Sequence, residues 1–351
     1  MAEALNNRYA GADRLLHRMA FSSLGLQEAV ADVENLIFRS PLAAVRGDAP
    51  IFVTSLPRAG TTLLLNMLLQ DPALASTTYR DMPFLMCPML WRSVSGPFQV
   101  PQQQRERAHA DGMLVGPDSA EAFEEVIWRH FWPRKYQARQ IALWSAVDHN
   151  PAFEFFFRNH IRKTIALAEG HGAARYISKN NANLARLPFL AGLFPDGWQV
   201  VPVRAPLAQA RSLLTQHHRF LALHAQDSFG RRYMADLGHF EFGALLRPFA
   251  FKETAYGDPL TLEYWLRYWI AAYSHVLDTR GPNTVFVDMD RLRTVPALVI
   301  GNLFDRLGLS SQARSQAIAM VRPPMPQAAG EGDAPLMTRA YYIYDALVKL
   351  A

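Results

Sequence analysis

The segment FVTSLPRAGTT, residues 52–62, constrains the fold more than any other part of the chain. The apolar run Ile51–Val53 predicts a buried strand, and Thr61 and Thr62 open a predicted helix. Gly60 lies in the short turn between them. A strand that passes through a tight glycine turn into a helix directs backbone N–H groups and the helix N-terminus at one point. The segment therefore predicts a binding site for an anion.

Arg58 adds a fixed positive charge to this turn, and Thr61 and Thr62 add hydroxyl donors. A guanidinium group can give two parallel hydrogen bonds to an oxyanion. The loop of an ATP-dependent kinase would instead have an earlier glycine and a lysine before the Ser or Thr, and both are missing. A nucleotide kinase is thus the alternative function, and a strand-to-helix turn capped by threonine is the purely structural alternative.

A second candidate phosphate element is VPVRAPLAQARS, residues 201–212. Arg204 ends a predicted strand, Pro206 opens the next helix, and Ser212 lies about one and a half turns into that helix. A guanidinium and a hydroxyl group suit a phosphate monoester. Ligands of open α/β sheets bind at the carboxyl edge of the strands, where this element is expected.

Predicted strands and helices alternate along much of the chain, which indicates an α/β fold. We expect a P-loop-like open parallel sheet flanked by helices, with a helical insertion on the acceptor side. Four strands are predicted, at residues 50–55, 174–178, 198–203 and 284–288. The chain is interpreted as a single domain with N-terminal helices at 1–48, an α/β core at about 49–80 and 174–310, an insertion at about 81–173, and a C-terminal loop and helix at 311–351.

Composition excludes several classes of protein. Half of the residues are hydrophobic and 19% are charged, as in a globular chain. The net charge of +5 comes without a dense Lys/Arg stripe, so no nucleic-acid partner is predicted. The single cysteine, Cys87, and the lack of an apolar leader or membrane-length run favour a cytoplasmic protein without a membrane span. The oligomeric state stays open.

The residues PRAGTT at 57–62 resemble the 5'-phosphosulfate loop of the sulfotransferases that use 3'-phosphoadenosine-5'-phosphosulfate (PAPS). The arginine form is similar to the bacterial, carbohydrate and tyrosylprotein branches. The family also carries a strand-end arginine and a serine eight positions later for the 3'-phosphate, which Arg204 and Ser212 match. The stretches 178–184 and 286–292 resemble further family segments, although Asn181 replaces an expected proline. The resemblance covers roughly residues 48–310.

The resemblance implies transfer of a sulfuryl group from PAPS to an acceptor hydroxyl, which leaves adenosine 3',5'-bisphosphate (PAP), with no metal required. It implies that the 5'-phosphosulfate is bound by Arg58, Ala59, Gly60, Thr61 and Thr62. A non-catalytic protein of the same fold is a further alternative. The insertion contains Trp128 and Trp132 together with basic residues, which favours a carbohydrate or glycoconjugate acceptor. An aromatic core with cations at its edge is the competing interpretation.

The chemistry needs cations near the leaving group and a base near the acceptor hydroxyl. Arg58 and Lys179 are the predicted cations. Asp81 is the first candidate base, because the resemblance to the tyrosylprotein branch places a catalytic glutamate there. Glu121 and Glu125 would lie on one helix face and are a second candidate pair, unless they form a solvated helix start.

Two further expectations concern less specific features. His217 and His218 could supply a base, although a surface role at the end of a helix is favoured for both. The Pro- and Gly-rich segment 322–335 is interpreted either as a mobile lid over the ligand or as a plain connector.

Overall fold

The computed structural model describes residues 11–95, 105–106, 114–116, 119–121, 123–168, 172–252, 257–322 and 333–351. Within these ranges, five parallel strands form one sheet in the order β2-β5-β1-β6-β7, and β3 pairs with β4 in a separate antiparallel ribbon. In chain order the strands are β1 (Ile51–Val53), β2 (Leu74–Ala75), β3 (Arg105–Glu106), β4 (Leu114–Val115), β5 (Arg175–Lys179), β6 (Trp198–Val203) and β7 (Thr284–Asp288).

Helices surround the sheet on both faces. They are α1 (Gly11–Ser22), α2 (Leu24–Ile37), α3 (Arg39–Ala44), α4 (Thr61–Leu68), α5 (Pro88–Val94), α6 (Glu125–Phe131), α7 (Pro151–Ala168), α8 (Leu187–Leu193), α9 (Pro206–Gln226), α10 (Ser228–Leu237), α11 (Leu262–Thr279), α12 (Met289–Thr294), α13 (Pro296–Leu307), α14 (Ser311–Ala319) and α15 (Ala334–Val348). Short 3-10 helices lie at Tyr79–Asp81, Pro133–Lys135, Asn181–Arg186 and Gly243–Leu245. None of the helices described is long and apolar enough to cross a membrane.

Alternating side chains of the central strands bury both faces of the sheet, as parallel strands between helices require. Ile51 and Val53 face a core completed by α4, α13 and α14, whereas Phe52 faces a larger core that includes α7, α8 and α11. In the register between β1 and β5, Val53 is the partner of Lys179. The ends of these two strands therefore deliver the phosphate-loop segment and Lys179 to the same edge of the sheet.

The predicted α/β fold is confirmed, and the four predicted strands are present. Three of them lie within one residue of their expected limits, whereas the strand expected at residues 50–55 spans only Ile51–Val53. Three details of the prediction were wrong. The two-residue strand β2 was missed, because two residues carry no periodic pattern. The helix expected from Leu184 begins instead as the 3-10 helix Asn181–Arg186 before α8. The insertion is less helical than expected, since residues 136–150 contain no α-helix. The segment 323–332 of the proposed lid lies outside the described residues.

A buried ion pair attaches the N-terminal helices to the rest of the fold. Nζ of Lys163 on α7 lies 2.9 Å from Oε2 of Glu34 on α2, and both side chains are almost fully inaccessible to solvent. The same ammonium group donates to the carbonyl oxygen of Ala31 at 2.8 Å, and the N–H of Leu90 donates to Glu34 at 2.6 Å. The pair thus joins α2, α5 and α7, and the loss of one partner would leave the other charge buried.

We expect Glu34→Gln to lower the free energy of unfolding by about 3–5 kcal/mol, since removal of one partner strands a buried charge. The matched control is Glu263→Gln, which breaks the exposed pair of Glu263 with Arg267 (2.7 Å). That change should cost less than about 1 kcal/mol, as for other surface pairs. Urea unfolding of both variants measures the difference, and equal losses would contradict the assigned role of Glu34.

Candidate functional site

The phosphate loop, defined here as residues 54–60 between β1 and α4, contains two residues with left-handed backbone. The φ angle is 69° at Arg58 and 98° at Gly60. The left-handed conformation favours glycine, whereas the Cβ atom of another residue would lie 2.8 Å from Cε of Met289, the movable end of a flexible side chain. Gly60 is the N-cap residue of α4, and the first N–H groups of a helix have no partner within that helix. The loop therefore presents a positive helix end to the edge of the sheet.

Gln209 on α9 fixes the outer side of this loop. Its amide group donates to the carbonyl oxygens of Leu56 (3.1 Å) and Pro57 (3.0 Å). Its own oxygen accepts from Nε1 of Trp269 at 2.9 Å and from the hydroxyl of Tyr273 at 3.2 Å. Two loop carbonyls are thereby turned toward α9, which reduces their repulsion of an anion bound by the loop.

The two predicted phosphate elements meet in the structure. Nε of Arg58 donates to Oγ of Ser212 at 3.1 Å, and a terminal nitrogen of Arg204 donates to the carbonyl oxygen of Arg58 at 3.1 Å. Burial lowers the pKa of Arg204, as do the nearby charges of Arg293 and Arg58, while Asp290 opposes them. A bound anion could therefore accept hydrogen bonds from two guanidinium groups, although Asp290 already balances part of their charge.

Thr61 at the start of α4 and Thr54 after β1 contact the segment after β5. Oγ1 of Thr61 donates to the side-chain oxygen of Asn181 at 3.4 Å, and Oγ1 of Thr54 donates to the backbone oxygen of the same residue at 3.3 Å. Thr62 is half-buried beside Thr61, and Ala59 is buried within the loop. Asn181 stands where the resemblance calls for proline. Its contacts join the end of β5 to the end of β1.

Lys179 lies at the carboxyl end of β5 beside the phosphate loop. Its Nζ is 3.6 Å from Oε1 of Glu121, and both side chains are buried. The hydroxyl of Tyr79 donates to the other carboxylate oxygen of Glu121 at 3.4 Å. An ammonium and a carboxylate group thus stand together at the sheet edge.

Glu125, one of the predicted catalytic residues, is surrounded by donors. Arg186 binds both of its carboxylate oxygens, at 2.7 and 2.8 Å, Tyr136 donates at 2.5 Å and Asn180 at 2.9 Å. Burial raises the pKa of Glu125, but the charge and hydrogen bonds of Arg186, with Tyr136 and Asn180, outweigh it and lower the pKa overall. Four donors fill the usual acceptor positions of a carboxylate, so this geometry favours a structural role.

Asp81 forms a separate ion pair. Its oxygens accept from Arg92 at 2.7 and 3.2 Å, and the N–H of Thr78 donates to it at 2.8 Å. These contacts fix the 3-10 helix at Tyr79–Asp81, and Asp81 does not line the cavity described next.

A cavity adjoins the phosphate loop, with about 740 Å³ of space when the part open to solvent is included. Pro57, Lys179 and Glu121 line the side nearest the loop. Its other wall comes from residues that follow α10 and from α9 and α11. The apolar members of that wall are Leu213, Phe240, Leu246, Phe249, Trp265 and Tyr268. The lining combines apolar rings with a few charged side chains, as in sites for small molecules.

Glu241 is a second carboxylate of this cavity. Burial raises its pKa, but the hydrogen bond and charge of His239, with the charge of Lys179, outweigh burial and lower the pKa to about 2. His239 Nδ1 lies 3.7 Å from its Oε2. Glu241 is therefore ionised at neutral pH and is a weak proton acceptor.

The structure brings together Arg58, Arg204, Ser212 and the α4 threonines, and it sets Lys179 and Glu121 beside them, whereas Asp81 lies apart. Sequence analysis missed Gln209, which lies on a buried helix face with other polar residues such as Gln216 and His224, and Glu241, which carried no signal. His217 lies within α9 rather than at its end, and burial and the charge of His218 lower its pKa to about 4.

Among the described residues, no group of three or more acidic, histidine or cysteine side chains is arranged to hold a metal ion.

Comparison with known proteins agrees with this geometry. The model of the sulfotransferase family matches residues 50–241, more than half of the chain, and the chain therefore belongs to the sulfotransferase family. No curated protein gave a significant match in a sequence search.

Solved structures of bacterial sulfotransferases align with most of the chain. STF1 from Mycobacterium tuberculosis H37Rv is 15% identical, over 83% of this chain and 75% of that chain, with a TM-score of 0.46. STF9 from Mycobacterium avium is 13% identical, over 91% and 80% of the two chains, with a TM-score of 0.47. A sulfotransferase from Alicyclobacillus acidocaldarius is 12% identical, over 87% and 98%, with a TM-score of 0.42.

The role of Glu125 is testable through stability. Glu125→Gln should lower the free energy of unfolding by about 3–5 kcal/mol near neutral pH, because Arg186 stays buried without a full partner. Since folding lowers the pKa of Glu125 from 4.5, its contribution is complete above pH 4.5 and is lost as the pH falls through the folded-state pKa. The difference in the free energy of unfolding between wild type and Glu125→Gln should therefore become smaller as the pH falls below 4.5.

Glu124, which precedes Glu125 in the chain, provides the control. Burial raises the pKa of Glu124, whose carboxylate accepts from Tyr176 at 2.6 Å. Its ionised form is thus disfavoured by folding, and Glu124→Gln should cost much less at neutral pH. Denaturant unfolding from pH 3.5 to 8 measures both variants. A Glu125→Gln protein of normal stability with a lost turnover would instead make Glu125 the base.

Proposed function

We propose that the protein transfers a sulfuryl group from PAPS to the hydroxyl group of an acceptor and releases PAP. The observation that carries the proposal is the contact between the two phosphate elements, in which Arg58 reaches Ser212 and Arg204 reaches the backbone of Arg58. A donor with phosphate groups at both ends of its ribose needs two anion sites at a short separation. Membership of the sulfotransferase family supports the same reaction.

The donor-binding roles follow from these positions. Arg58, Ala59, Gly60, Thr61 and Thr62 would hold the 5'-phosphosulfate through the helix end, the hydroxyl groups and one guanidinium. Arg204 and Ser212 would hold the 3'-phosphate. The residues fit such a ligand, because Arg204 and Arg58 are in contact, Arg58 reaches Ser212, and Gln209 withdraws two loop carbonyls.

The transfer step requires the acceptor oxygen to form a bond to sulfur while the bond from sulfur to the 5'-phosphate oxygen breaks. The electron pair of the broken bond stays on that phosphate oxygen, which becomes part of PAP. Arg58 and Lys179 are the cations that would stabilise this growing charge. The hydroxyl proton must pass to a nearby base.

For the base we propose Glu121 in place of Asp81 and Glu125. Glu121 lines the cavity 3.6 Å from Lys179. Asp81 lies outside the cavity and is held by Arg92, while the carboxylate of Glu125 is filled by four donors. The low pKa of Glu241 makes it a poorer base than its neighbour.

A P-loop kinase remains the alternative function. It would need a lysine before the threonines of α4, where Ala59 and Gly60 stand. The carbohydrate acceptor stays a prediction, and two of the aromatic residues that favoured it do not form a sugar platform. Trp128 is fully buried and Trp132 packs against the same core.

The first test is ligand binding. Calorimetry should detect binding of PAP without metal, and ADP with magnesium should bind at least about tenfold more weakly, because ADP lacks the 3'-phosphate for Arg204 and Ser212. Arg204→Ala should remove most of this preference. Equal affinities for the two nucleotides, or a magnesium requirement, would favour the kinase.

The second test concerns the base. Glu121→Gln should lower kcat by roughly 10²-fold or more with little change in PAP affinity, which is the usual effect of losing a general base. Glu241→Gln makes the same chemical change in the same cavity and should lower kcat less, as should Asp81→Asn. Steady-state rates with labelled PAPS compare the three variants. An active Glu121→Gln enzyme beside an inactive Asp81→Asn enzyme would return the role to Asp81.

A further inference from the structure

The corner between β6 and α9 is held by a carboxylate from a distant part of the chain. Arg204, which would bind the 3'-phosphate, directly precedes Ala205, the N-cap residue of α9. The side chain of Ala205 cannot cap the helix, and its N–H donates to Oδ2 of Asp290 on α12 at 2.9 Å. Asp290 is therefore the acidic group beside the N-terminus of α9, where a negative charge is favourable.

The sheet brings Asp290 to this corner. In the register between β6 and β7, Val203 is the partner of Asp288, so the ends of the two strands lie side by side. Oδ1 of Asp288 accepts from the N–H of Asp290 at 3.0 Å and thereby fixes the start of α12. Burial lowers the pKa of Arg204, while the charge of Asp290 opposes the shift, as expected of a carboxylate close to the guanidinium group.

The C-terminal helix α15 reaches the same carboxylate. The hydroxyl group of Tyr344 donates to Oδ2 of Asp290 at 3.2 Å. Burial and the charges of Asp290 and Asp288 raise the pKa of Tyr344, so its hydroxyl group stays protonated at neutral pH and remains a donor. The helix is anchored by three residues that are buried in the main core, namely Ala340, Ile343 and Leu347.

A single oxygen atom thus joins α15 to the corner that carries Arg204. Oδ2 of Asp290 accepts from both Tyr344 and Ala205. Arg204 in turn donates to the carbonyl oxygen of Arg58, at 3.1 Å. Hydrogen bonds to an ionised acceptor are stronger than those between neutral groups. A displaced Asp290 would therefore shift the backbone beside Arg204 and change the separation of the two phosphate elements.

We infer that Asp290 and Tyr344 are positioning residues for Arg204, through which α15 sets the affinity of the enzyme for the 3'-phosphate of PAPS and PAP. This inference rests on the proposed function, since it concerns the donor of that reaction. The two residues act on donor binding by fixing the corner between β6 and α9, and they take no part in the transfer of the sulfuryl group.

The experiment compares PAP with adenosine 5'-monophosphate (AMP), which lacks only the 3'-phosphate. Calorimetry on the full chain should show that Tyr344→Phe raises the Kd for PAP by at least about fivefold, because one hydrogen bond to a charged acceptor is lost. The Kd for AMP should change by less than about twofold, since AMP makes no use of Arg204. The KM for PAPS should rise with the Kd for PAP, while kcat stays the same.

The matched control is Tyr342→Phe, which removes the same hydroxyl group from a side chain of the same helix that is 78% exposed. It should leave both affinities unchanged. Equal losses for PAP and AMP in Tyr344→Phe would indicate a general effect on the fold and would overturn the inference, as would an unchanged Kd for PAP.

Two further comparisons test the connection to Arg204. In an Arg204→Ala background, Tyr344→Phe should have almost no additional effect on the Kd for PAP, because the residue through which it acts is gone. Asp290→Asn and Asp290→Ala both remove the charge, but only asparagine keeps an oxygen for the N–H of Ala205. Asp290→Asn should therefore bind PAP at least about threefold more tightly than Asp290→Ala.

Additive losses in the double variant, or equal affinities of the two Asp290 variants, would overturn the inference. If Asp290→Ala does not fold, the double variant decides alone. When wild type binds PAP but Tyr344→Phe binds it equally well, the inference fails and the proposed function survives. If wild type does not bind PAP, the proposed function fails and the inference fails with it.

Discussion

The buried pair of Glu125 and Arg186 is the interaction on which the site depends. The guanidinium of Arg186 lies 4.1 Å from the ring centre of Trp128 and 4.4 Å from that of Trp144, so it is enclosed by aromatic faces as well as paired. Glu125 begins α6, and Arg186 ends the 3-10 helix that follows β5. A charge pair buried between aromatic rings favours one geometry, because any other arrangement leaves one of the two charges without a partner.

The pair of Glu125 and Arg186 connects the two sides of the cavity beside the phosphate loop. Asn180 donates to Glu125 at 2.9 Å and follows Lys179 directly, so the end of β5 is fixed by the same carboxylate. A Cβ atom at Gly238, where α10 ends, would lie 2.6 Å from Cγ of Glu125, which means that the chain leading to Glu241 passes against this side chain. Lys179 at the end of β5 and the chain that leads to Glu241 are therefore both positioned against the side chain of Glu125.

Most strands of the sheet and the two candidate phosphate elements could be predicted from the sequence, because they depend on local patterns. The apolar runs 51–53 and 198–203, the single Gly60 and the spacing of Arg204 and Ser212 each lie within a few turns of chain. The roles of the acidic residues were not accessible in this way. Glu125 and Arg186 are 61 positions apart, and Glu241 is distant from every other cavity carboxylate in the chain. A helical pattern of glutamates in the sequence does not indicate which of them will form an ion pair with an arginine in the folded protein.

The environment, rather than the residue type, separates the three glutamates around the cavity. Glu125 has four donors and is a structural anion, whereas Glu241 is held ionised by His239 and Lys179 and contributes a fixed negative charge. Glu121 shares Lys179 and lies nearest the phosphate loop side of the cavity. A base must be able to accept a proton and must be close to where that proton is released. The proposal of Glu121 as the base rests on its position, because it lines the cavity and lies 3.6 Å from Lys179. In that proposal its pairing with Lys179 would link proton uptake to the charge that develops as the donor is cleaved.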